Sequence, residues 1–297
     1  MRVPCLLLCL CLPLPAWSQA IIDETDYLAD KRPEAWAMHY ETATSLMTAF
    51  GPVPALAPGA WQVAGEVGEV PHLDAAQRTV GFNGTKTEDL NKSPVFGRVR
   101  GWIGLPGGFV AELGWTPPLS LNGAKPRDIL AAGIGRRVVD AYGYSVSLRA
   151  FGQHGAVTGD ITCPAELAGV QDFVLNPYGC EATSSDTLHV NYYGLETTFA
   201  HTGGAWTWHA TGGLVRMENE VQVDALRYGF RDRTRLVSND TLAYLAAGLG
   251  YDLSQRWHVG AEVLYVPLVV LRNPEGSSDN DPLLSFRLQL AWRFDGH

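Results

Sequence analysis

The chain has 297 residues and an acidic balance, with 31 Asp and Glu against 22 Lys and Arg and a formal net charge of −9. Proteins that bind nucleic acid present a basic surface that neutralises phosphates, so this balance excludes a nucleic-acid partner. The 32 glycines and the lack of sustained helical periodicity after Phe50 favour an all-β fold.

The first 20 residues have the layout of a secretory signal peptide. Arg2 is followed by an apolar run from Cys5 to Leu14 and then by small residues that end at Ala20. This order of regions predicts export and cleavage after Ala20. The run is too short to cross a bilayer as a helix, for which about 20 apolar residues are needed.

A helix is predicted next, over residues 33–50. Pro33 suits the first turn of a helix because the missing N–H needs no partner there, and Gly51 is typical of a helix end. Apolar residues recur between them at steps of three and four, which gives the helix one apolar stripe. The stripe consists of Trp36, Tyr40, Ala43, Met47 and Phe50.

Ten segments of alternating apolar and polar residues follow the helix. The links after even-numbered segments are short and those after odd-numbered segments are long, which is the pattern of periplasmic turns and outer loops in a transmembrane barrel. The sequence therefore predicts an all-β fold, a transmembrane antiparallel β-barrel of about ten strands with both chain ends in the periplasm. The predicted strands are 60–71, 95–105, 108–117, 127–139, 142–155, 187–200, 205–216, 240–252, 256–271 and 283–294.

Two of the long links carry further signals. The link 217–239 contains alternating apolar residues, and a hairpin within it would raise the count to twelve strands. The link 156–186 holds Cys163 and Cys180, the two cysteines that remain after removal of the signal peptide. An even pair of cysteines in an exported chain predicts a disulfide that closes this loop.

The last predicted strand, from Pro282 to Phe294, alternates almost without a break. Leucines and aromatic residues such as Trp292 fall on one face, and polar residues such as Arg287 fall on the other. This strand resembles the terminal strand of bacterial outer-membrane β-barrels, whose final aromatic residue is recognised by the barrel assembly machinery. The resemblance implies a location in the outer membrane of a Gram-negative bacterium, with Phe294 as the assembly signal. The tail Asp295–His297 departs from the pattern, and no specific family is identified.

The predicted barrel leaves two positions for the N-terminal segment at 21–59. One position is periplasmic, with helix 33–50 packed under the barrel rim, and the other is inside the lumen as a plug. The sequence favours the periplasmic position. The chain is thereby divided into a signal peptide at 1–20, this N-terminal segment, and a β-barrel at 60–294.

Charged residues of both signs occur in similar numbers at the inward-facing positions. A lumen of one sign would indicate an ion-selective pore, whereas a mixed lumen indicates an interior closed by salt bridges. Ten strands also enclose little space, because a barrel of eight strands is filled by its own side chains. The predicted lumen-lining residues are Glu66, Arg98, Arg100, Glu112, Arg149, Glu196, His209, Glu262, Arg287 and Arg293.

Ten strands is also the count of the omptin proteases, whose site pairs carboxylates with an Asp–His couple at the outer rim. Among the nearest candidates for such a site is Asp74 beside His72, and His209 with Ser147 is the candidate pair for a Ser–His phospholipase site. Neither forms a recognisable catalytic motif. We therefore expect a non-enzymatic, porin-like barrel for passive transport or binding of a small solute, with no cofactor and no metal. The alternatives are a structural or adhesive barrel with a closed lumen and, less favoured, a membrane-embedded hydrolase. The expected partners are outer-membrane lipid, the barrel assembly machinery and an unidentified small solute.

Overall fold

The computed structural model describes residues 20–273 and 275–294. The predicted signal peptide up to Gln19 and the tail Asp295–His297 lie outside the described residues. Within them, ten long antiparallel strands close into one barrel, which confirms the predicted fold. Each strand pairs with the next along the chain, and β10 pairs with β1 to complete the circle. The strands are β1 Trp61–Glu69, β2 Val95–Gly104, β3 Phe109–Trp115, β4 Lys125–Ala141, β5 Tyr144–Gly159, β6 Asp186–Gly203, β7 Trp206–Gln222, β8 Arg235–Asp252, β9 Trp257–Val266 and β10 Leu283–Phe294.

The two-residue alternation of each strand separates an apolar outer face from a polar lumen. In β10, Leu284 and Phe286 are exposed on the outside, whereas Ser285 and Arg287 are buried within the barrel. Successive side chains of a strand point to opposite faces, so an alternating sequence suits a wall between lipid and a polar interior. Within the described residues, no helix is long and apolar enough to cross a membrane.

The two ends of the barrel differ in their connections. The short connections 105–108, 142–143, 204–205 and 253–256 lie at one end, called here the short-turn end, and the longer ones lie at the other, the long-loop end. Strands β4 to β8 extend further towards the long-loop end than the sequence predicts. For example, β8 begins at Arg235 instead of residue 240. Its first residues mix polar side chains with Leu236 and Val237, and backbone pairing with β7 needs no regular alternation beyond the membrane.

The alternation within 217–239 does not add strands to the barrel. It belongs partly to β7 and β8 and partly to a short hairpin of Ala225–Arg227 with Phe230–Asp232, which forms a separate small sheet. Among the described residues the barrel therefore has ten strands and not twelve.

The N-terminal segment passes through the lumen from the long-loop end to the short-turn end. Ala20–Ile22 pairs with the hairpin strand Phe230–Asp232, and Thr25–Tyr27 pairs in parallel with the first residues of β8. The helix α1, Pro33–Thr44, is buried inside the barrel. The chain then reaches the short-turn end, where the N–H of Gly59 donates to the carbonyl of Gly104. The start of the described chain thus lies at the long-loop end, which corrects the expectation that both chain ends lie in the periplasm.

The helix α1 ends six residues earlier than the predicted boundary at residue 50. Ser45 is the C-cap, and its N–H donates to the carbonyl of Thr42. The following residues lie in an irregular backbone, because their carbonyls accept hydrogen bonds from lumen side chains and not from the N–H groups of another helical turn. Sequence periodicity detects the apolar stripe, which does continue to Phe50, but it does not detect this change of hydrogen-bond partner.

The long loops form a connected cap over the long-loop end. Cys163 and Cys180 are joined by the predicted disulfide, and the hydroxyl of Tyr178 donates to the carbonyl of Thr85 in the loop after β1 at 2.9 Å. Tyr228 of the hairpin donates to the carbonyl of Pro177. The cap thereby links three loops that are distant in sequence. The remaining short elements are the helices Ala75–Arg78, Gly81–Gly84 and Pro106–Gly108 and the strands Thr79–Val80, Lys86–Thr87, Val269–Val270 and Asp279–Asn280.

The path of the N-terminal segment predicts which residues face the cell exterior. In outer-membrane barrels the short turns lie in the periplasm. Tyr27 at the long-loop end and Tyr142 in a short turn are both well exposed. We expect a Tyr27→Cys variant to react with a membrane-impermeant maleimide on intact cells, and a Tyr142→Cys variant to react only after the outer membrane is permeabilised. The reverse pattern of labelling would contradict this orientation.

Candidate functional site

Four arginines of the lumen wall hold the plug, which we define as residues 33–59. Arg287 of β10 donates to the carbonyls of Ala43, Thr44 and Leu46. Three further arginines donate to the carbonyls of three other residues between 45 and 48. These contacts are Arg98 to Ser45 at 2.6 Å, Arg149 to Met47 at 2.6 Å and Arg100 to Thr48 at 2.8 Å. Six consecutive carbonyls of the plug are therefore satisfied by guanidinium groups of the wall.

Two of these arginines, Arg100 and Arg149, belong to a chain of ion pairs that runs along the inner wall of the barrel from β1 to β6. Arg100 pairs with Glu66 at 3.0 Å and with Glu112, and Glu112 pairs with Arg149 at 2.9 Å. Arg149 continues to Glu196, which accepts a hydrogen bond from Tyr244. All of these side chains are almost completely buried. Burying an ion costs much less free energy when it is paired and hydrogen-bonded. The alternation of positive and negative side chains therefore lowers the cost of burying these charges in the lumen.

The structure brings nine of the ten predicted lumen-lining residues together around the plug. Glu262, the acidic partner not yet placed, accepts hydrogen bonds from Thr48 of the plug and contacts His209 at 3.1 Å. Arg293 is different, because it lies at the short-turn end with its side chain 45% exposed and 3.8 Å from Asp252. The buried set consists of Glu66, Arg98, Arg100, Glu112, Arg149, Glu196, His209, Glu262 and Arg287.

Two cavities lie at the long-loop end, between the plug and the cap. The larger has a volume of about 410 Å³ and a mostly apolar lining, which includes Ile129, Leu188 and Val190 of the inner wall. Val95 and Val99 of the outer face also line it, so this cavity passes through the wall of the barrel. Apolar cavities with few polar groups are typical binding sites for small molecules.

The second cavity, of about 260 Å³, continues from the first. Both are lined by Glu41, Leu90, Ile161 and Leu188. It is bounded by α1, the loops of the cap and the long-loop ends of β7 and β8. Burial raises the pKa of Glu88 in its lining to about 7, against the opposing effect of the Lys86 ammonium group. Glu88 therefore adds a weakly acidic carboxyl group to a lining that also contains the carboxyl groups of Glu41, Asp186 and Asp232.

Two residues that line the larger cavity have enclosed polar atoms without a partner in the described part of the protein. Arg98, only 2% exposed, uses Nη2 for the carbonyl of Ser45 and for Gln153, and its Nε and Nη1 have no acceptor. The hydroxyl of Thr116, 3% exposed, is also unpaired. Glu41 of α1 lines both cavities, and its carboxyl group has no hydrogen-bond or ion-pair partner among these residues. A buried polar group without a partner costs about 1–3 kcal/mol, and Arg98 and Thr116 both carry such groups beside the cavity.

Sequence reasoning did not single out Glu41 or Thr116. Glu41 stands outside the apolar stripe of the predicted helix, where a charge is typical of a solvated face. Thr116 precedes Pro117 and Pro118, and these two prolines are the feature of the sequence that indicates the end of the strand beside it. Proline has no N–H to donate to a sheet, so the pair ends β3 at Trp115, two residues before the predicted boundary of 117.

The side chains considered for catalysis are occupied by structural contacts. Asp74 caps the helix Ala75–Arg78, and His72 contacts the side chain of Asn91 at 3.3 Å. Ser147 accepts from the N–H of Val53 of the plug at 3.1 Å. His258 and Asp252 lie 2.7 Å apart, but at the short-turn end and away from the two cavities. In the part of the chain that the structure describes, no group of three or more His, Cys, Asp or Glu side chains is arranged to hold a metal ion.

The ion-pair chain predicts a large difference between buried and rim carboxylates. A Glu112→Gln variant leaves Arg100 and Arg149 without a shared counter-charge and is expected to lower the free energy of unfolding by about 3 kcal/mol or more. The matched control is Asp140→Asn, since Asp140 pairs with Arg137 at 2.9 Å but is more than half exposed. The control is expected to cost at most about 1 kcal/mol. Urea unfolding of the refolded protein in detergent, followed by tryptophan fluorescence, measures both. Equal losses in the two variants would contradict the role of the buried chain.

No protein-family model matches the chain, and no curated protein matches it by sequence. Solved structures of similar fold include the outer-membrane protease OmpT of Escherichia coli, with 9% identity, a TM-score of 0.39 and coverage of 80% of this chain and 94% of that one. The translocator domain of the autotransporter NalP of Neisseria meningitidis has 11% identity, a TM-score of 0.40 and coverage of 90% and 100%. LpxR of Salmonella typhimurium has 9% identity, a TM-score of 0.34 and coverage of 78% and 100%. With its closed wall and apolar outer face, the protein is an outer-membrane β-barrel of the Gram-negative type.

Proposed function

We propose that this protein binds a small apolar or amphipathic solute at the long-loop end of the barrel, and that its lumen is closed to free diffusion. The observation that carries the proposal is the pair of connected cavities above a plug that fills the lumen. Binding is one of the two activities expected from the sequence, and the filled lumen favours it over passive transport.

The plug argues against passive transport along the barrel axis. A pore for small solutes needs a continuous aqueous path, whereas here the centre of the barrel contains plug backbone and paired charges. To open such a path the plug would have to release six carbonyl contacts with the wall. A closed lumen with an accessible cavity at one end is the arrangement of a binding protein.

A purely structural role explains the ion pairs but not the cavities. Protein interiors are packed closely, and voids larger than a water molecule are few. Two connected cavities with apolar walls and unpaired polar atoms therefore favour a bound ligand over packing alone. The contacts of the candidate catalytic side chains favour binding over hydrolysis.

The binding proposal is tested by photolabelling in lipid nanodiscs. A long-chain alcohol that carries a photoreactive diazirine is added to the protein, and labelled residues are mapped by mass spectrometry. Adducts are expected at the inward-facing residues Leu188 and Val190 as well as on the outer surface. Adducts confined to outward-facing residues would contradict the proposal.

A cavity-filling variant gives the matched comparison. Leu188 is buried where the two cavities meet, whereas Leu195 on the same strand is 66% exposed on the outer face. Leu188→Trp is expected to reduce inward labelling by about tenfold, because the indole occupies the shared space, and Leu195→Trp is expected to leave it unchanged. Heat-dependent mobility on SDS gels verifies that both variants fold as closed barrels.

Closure of the lumen is tested separately in liposomes. Vesicles that contain the protein are expected to swell in a small sugar no faster than vesicles without it, because the plug leaves no aqueous path. Swelling at the rate of an open pore would contradict a closed lumen and favour passive transport.

A further inference from the structure

We infer that the ligand is an amphiphile with an ammonium head group, which pairs with Glu41, and an apolar body, which lies in the larger cavity. This inference rests on the proposed binding function and specifies its ligand class. It follows from the unequal distribution of charged groups between the two cavities and from the unpaired carboxyl group at the place where they meet.

The second cavity has an excess of carboxyl groups. Its lining contains seven Asp and Glu residues but only two basic residues, Arg32 and Arg227. Arg32 donates to Asp26 at 2.8 Å and to Glu34 at 2.9 Å. Arg227 donates to Asp232 at 2.9 Å. Both guanidinium groups are therefore already paired with carboxylates of the same lining, and the cavity attracts a cation more strongly than an anion.

Asp186 is a carboxylate of this lining that has no cationic partner. It accepts hydrogen bonds from the N–H of Thr162 at 2.7 Å, the hydroxyl of Ser184 at 2.8 Å and the N–H of Asp224 at 3.1 Å. These neutral donors satisfy its oxygens but leave its negative charge uncompensated. The charge of Asp186 therefore acts on its neighbours.

Glu88 shows the effect of this uncompensated charge. Burial is the main cause of its raised pKa, and the negative charges of Asp186 and Glu34 raise the pKa further, whereas the ammonium group of Lys86 lowers it. The carboxyl groups around the cavity thus oppose one another's ionisation. A cation bound among them would relieve this repulsion.

Glu41 lies where the two cavities meet, since it lines both of them from α1. In the described part of the protein its carboxyl group has no hydrogen-bond or ion-pair partner. Its oxygens are not among the enclosed polar atoms, in contrast to the unpaired atoms of Arg98 and Thr116. Because α1 is buried within the barrel, the space that these oxygens reach is that of the cavities. The carboxyl group of Glu41 therefore faces the ligand site.

The titration of Glu41 is consistent with a cationic ligand. Burial raises the pKa of this carboxyl group to about 8, so it is mostly protonated at neutral pH while the cavity lacks a cation. Glu24, the remaining charged residue of the second cavity, is exposed, and water screens its charge. An ammonium group beside Glu41 favours the ionised form, so binding releases the proton. Binding is therefore expected to strengthen as the pH rises and to level off above the pKa.

The larger cavity suits the apolar body of the ligand. Ile129, Val157 and Val190 line it, and Leu188 lines both cavities. An apolar chain that starts beside Glu41 and extends along these side chains would leave little of its surface in water. The two cavities thus match the two ends of an amphiphile.

The charged residues of the larger cavity orient the ligand. Besides Glu41 they are Glu66, Lys92 and Arg98. Glu66 pairs with Arg100 at 3.0 Å and Lys92 pairs with Asp160 at 2.7 Å. Arg98 has only neutral partners, so its positive charge repels an ammonium group from this cavity. The head group is thereby directed towards the carboxyl groups of the second cavity.

A metal ion matches this site less well than an organic cation. Metal ions such as Ca²⁺ need several oxygen ligands around one point. Within the described ranges, no group of three or more His, Cys, Asp or Glu side chains is arranged to hold a metal ion. An ammonium group needs only one carboxylate partner, and its apolar substituents can contact the apolar walls.

The ligand class is tested by competition against the photoreactive long-chain alcohol in nanodiscs of zwitterionic lipid. The competitors have equal chain length and a trimethylammonium, a hydroxyl or a sulfonate head, none of which changes charge near neutral pH. Loss of adducts at Leu188 and Val190 is measured relative to Leu195, which corrects for partitioning into the bilayer. At a pH of about 8.5 the trimethylammonium compound is expected to compete about tenfold more strongly than the other two. Equal competition by all three, or stronger competition by either of the others, would overturn the inference.

The pH dependence tests the pairing with Glu41. Competition by the trimethylammonium compound is expected to strengthen about tenfold as the pH rises from about 6.5 to about 8.5, and competition by the alcohol is expected to stay constant. In a Glu41→Gln variant, which keeps the size of the side chain, the advantage of the cation and its pH dependence are both expected to disappear. A pH dependence that survives in this variant would assign the head group to another carboxyl group and contradict the role of Glu41.

Glu218→Gln is the matched control. Glu218 is exposed on the outer face of β7 and lines neither cavity, so this variant removes the same charge without changing the site. The order of the three competitors and its pH dependence are expected to be those of the unmodified protein. A loss of the cation's advantage in this control as large as in Glu41→Gln would show a general attraction to the acidic protein and overturn the inference. Heat-dependent mobility verifies the fold of both variants.

These outcomes are separable from the binding proposal itself. If Leu188 and Val190 are labelled but the three competitors act equally, binding stands and the inference falls. If no inward-facing residue is labelled at either pH, both fall together.

Discussion

The position of the plug depends on one interaction, the donation of hydrogen bonds from lumen guanidinium groups to a run of backbone carbonyls. An irregular backbone inside a barrel is remote from bulk water, and each carbonyl without a donor would cost about 1–3 kcal/mol. A guanidinium group carries five N–H donors in one plane, so it can serve a plug carbonyl and a wall carboxylate together. Arg100 and Arg149 do this, and their carboxylate partners compensate the charges that this role brings into the lumen.

The same interaction connects the plug with the candidate binding site. Arg100 and Arg149 use their remaining donors on carboxylates, whereas Arg98, one inward step nearer the long-loop end, has a neutral partner in Gln153. Arg98 therefore keeps two free donors beside the larger cavity. The side chain that anchors Ser45 also lines the larger cavity, so the plug and the cavity share one residue of the wall.

Much of the barrel follows from the sequence because its main signal is local. Two-residue alternation, short turns and a paired set of cysteines each depend on nearby residues, and they give the strand count, the architecture and the disulfide. The placement of the plug depends instead on contacts between residues far apart, such as Arg287 with Leu46. The apolar stripe of 33–50 is compatible with either position, since it would pack equally well beneath a rim or inside a lumen.

The candidate site was harder to predict, for a related reason. The two-residue alternation of the strands predicts which charged residues face the lumen. It does not predict which of them pair, because pairing depends on the register and curvature of the closed wall. Glu41 and Thr116 carry no motif, and they become notable only when the cavity shows that their polar atoms lack partners. The proline pair after Thr116 was visible as a strand terminator. Its effect on the wall depends on the length of the neighbouring strands.

The passage of the N-terminal segment through the lumen constrains the order of assembly. After the wall has closed, the segment could enter the lumen only by moving lengthwise past every buried ion pair. The side chains of Trp36 and Tyr40 are too wide to pass through the filled interior. The alternative is for β1 and β10 to meet last, around a segment that already lies in place. The seam at which Phe294 stacks on Trp61, 3.5 Å between ring centroids, is then the final step of folding. The first part of the chain to be synthesised thus serves as the template around which the last part closes.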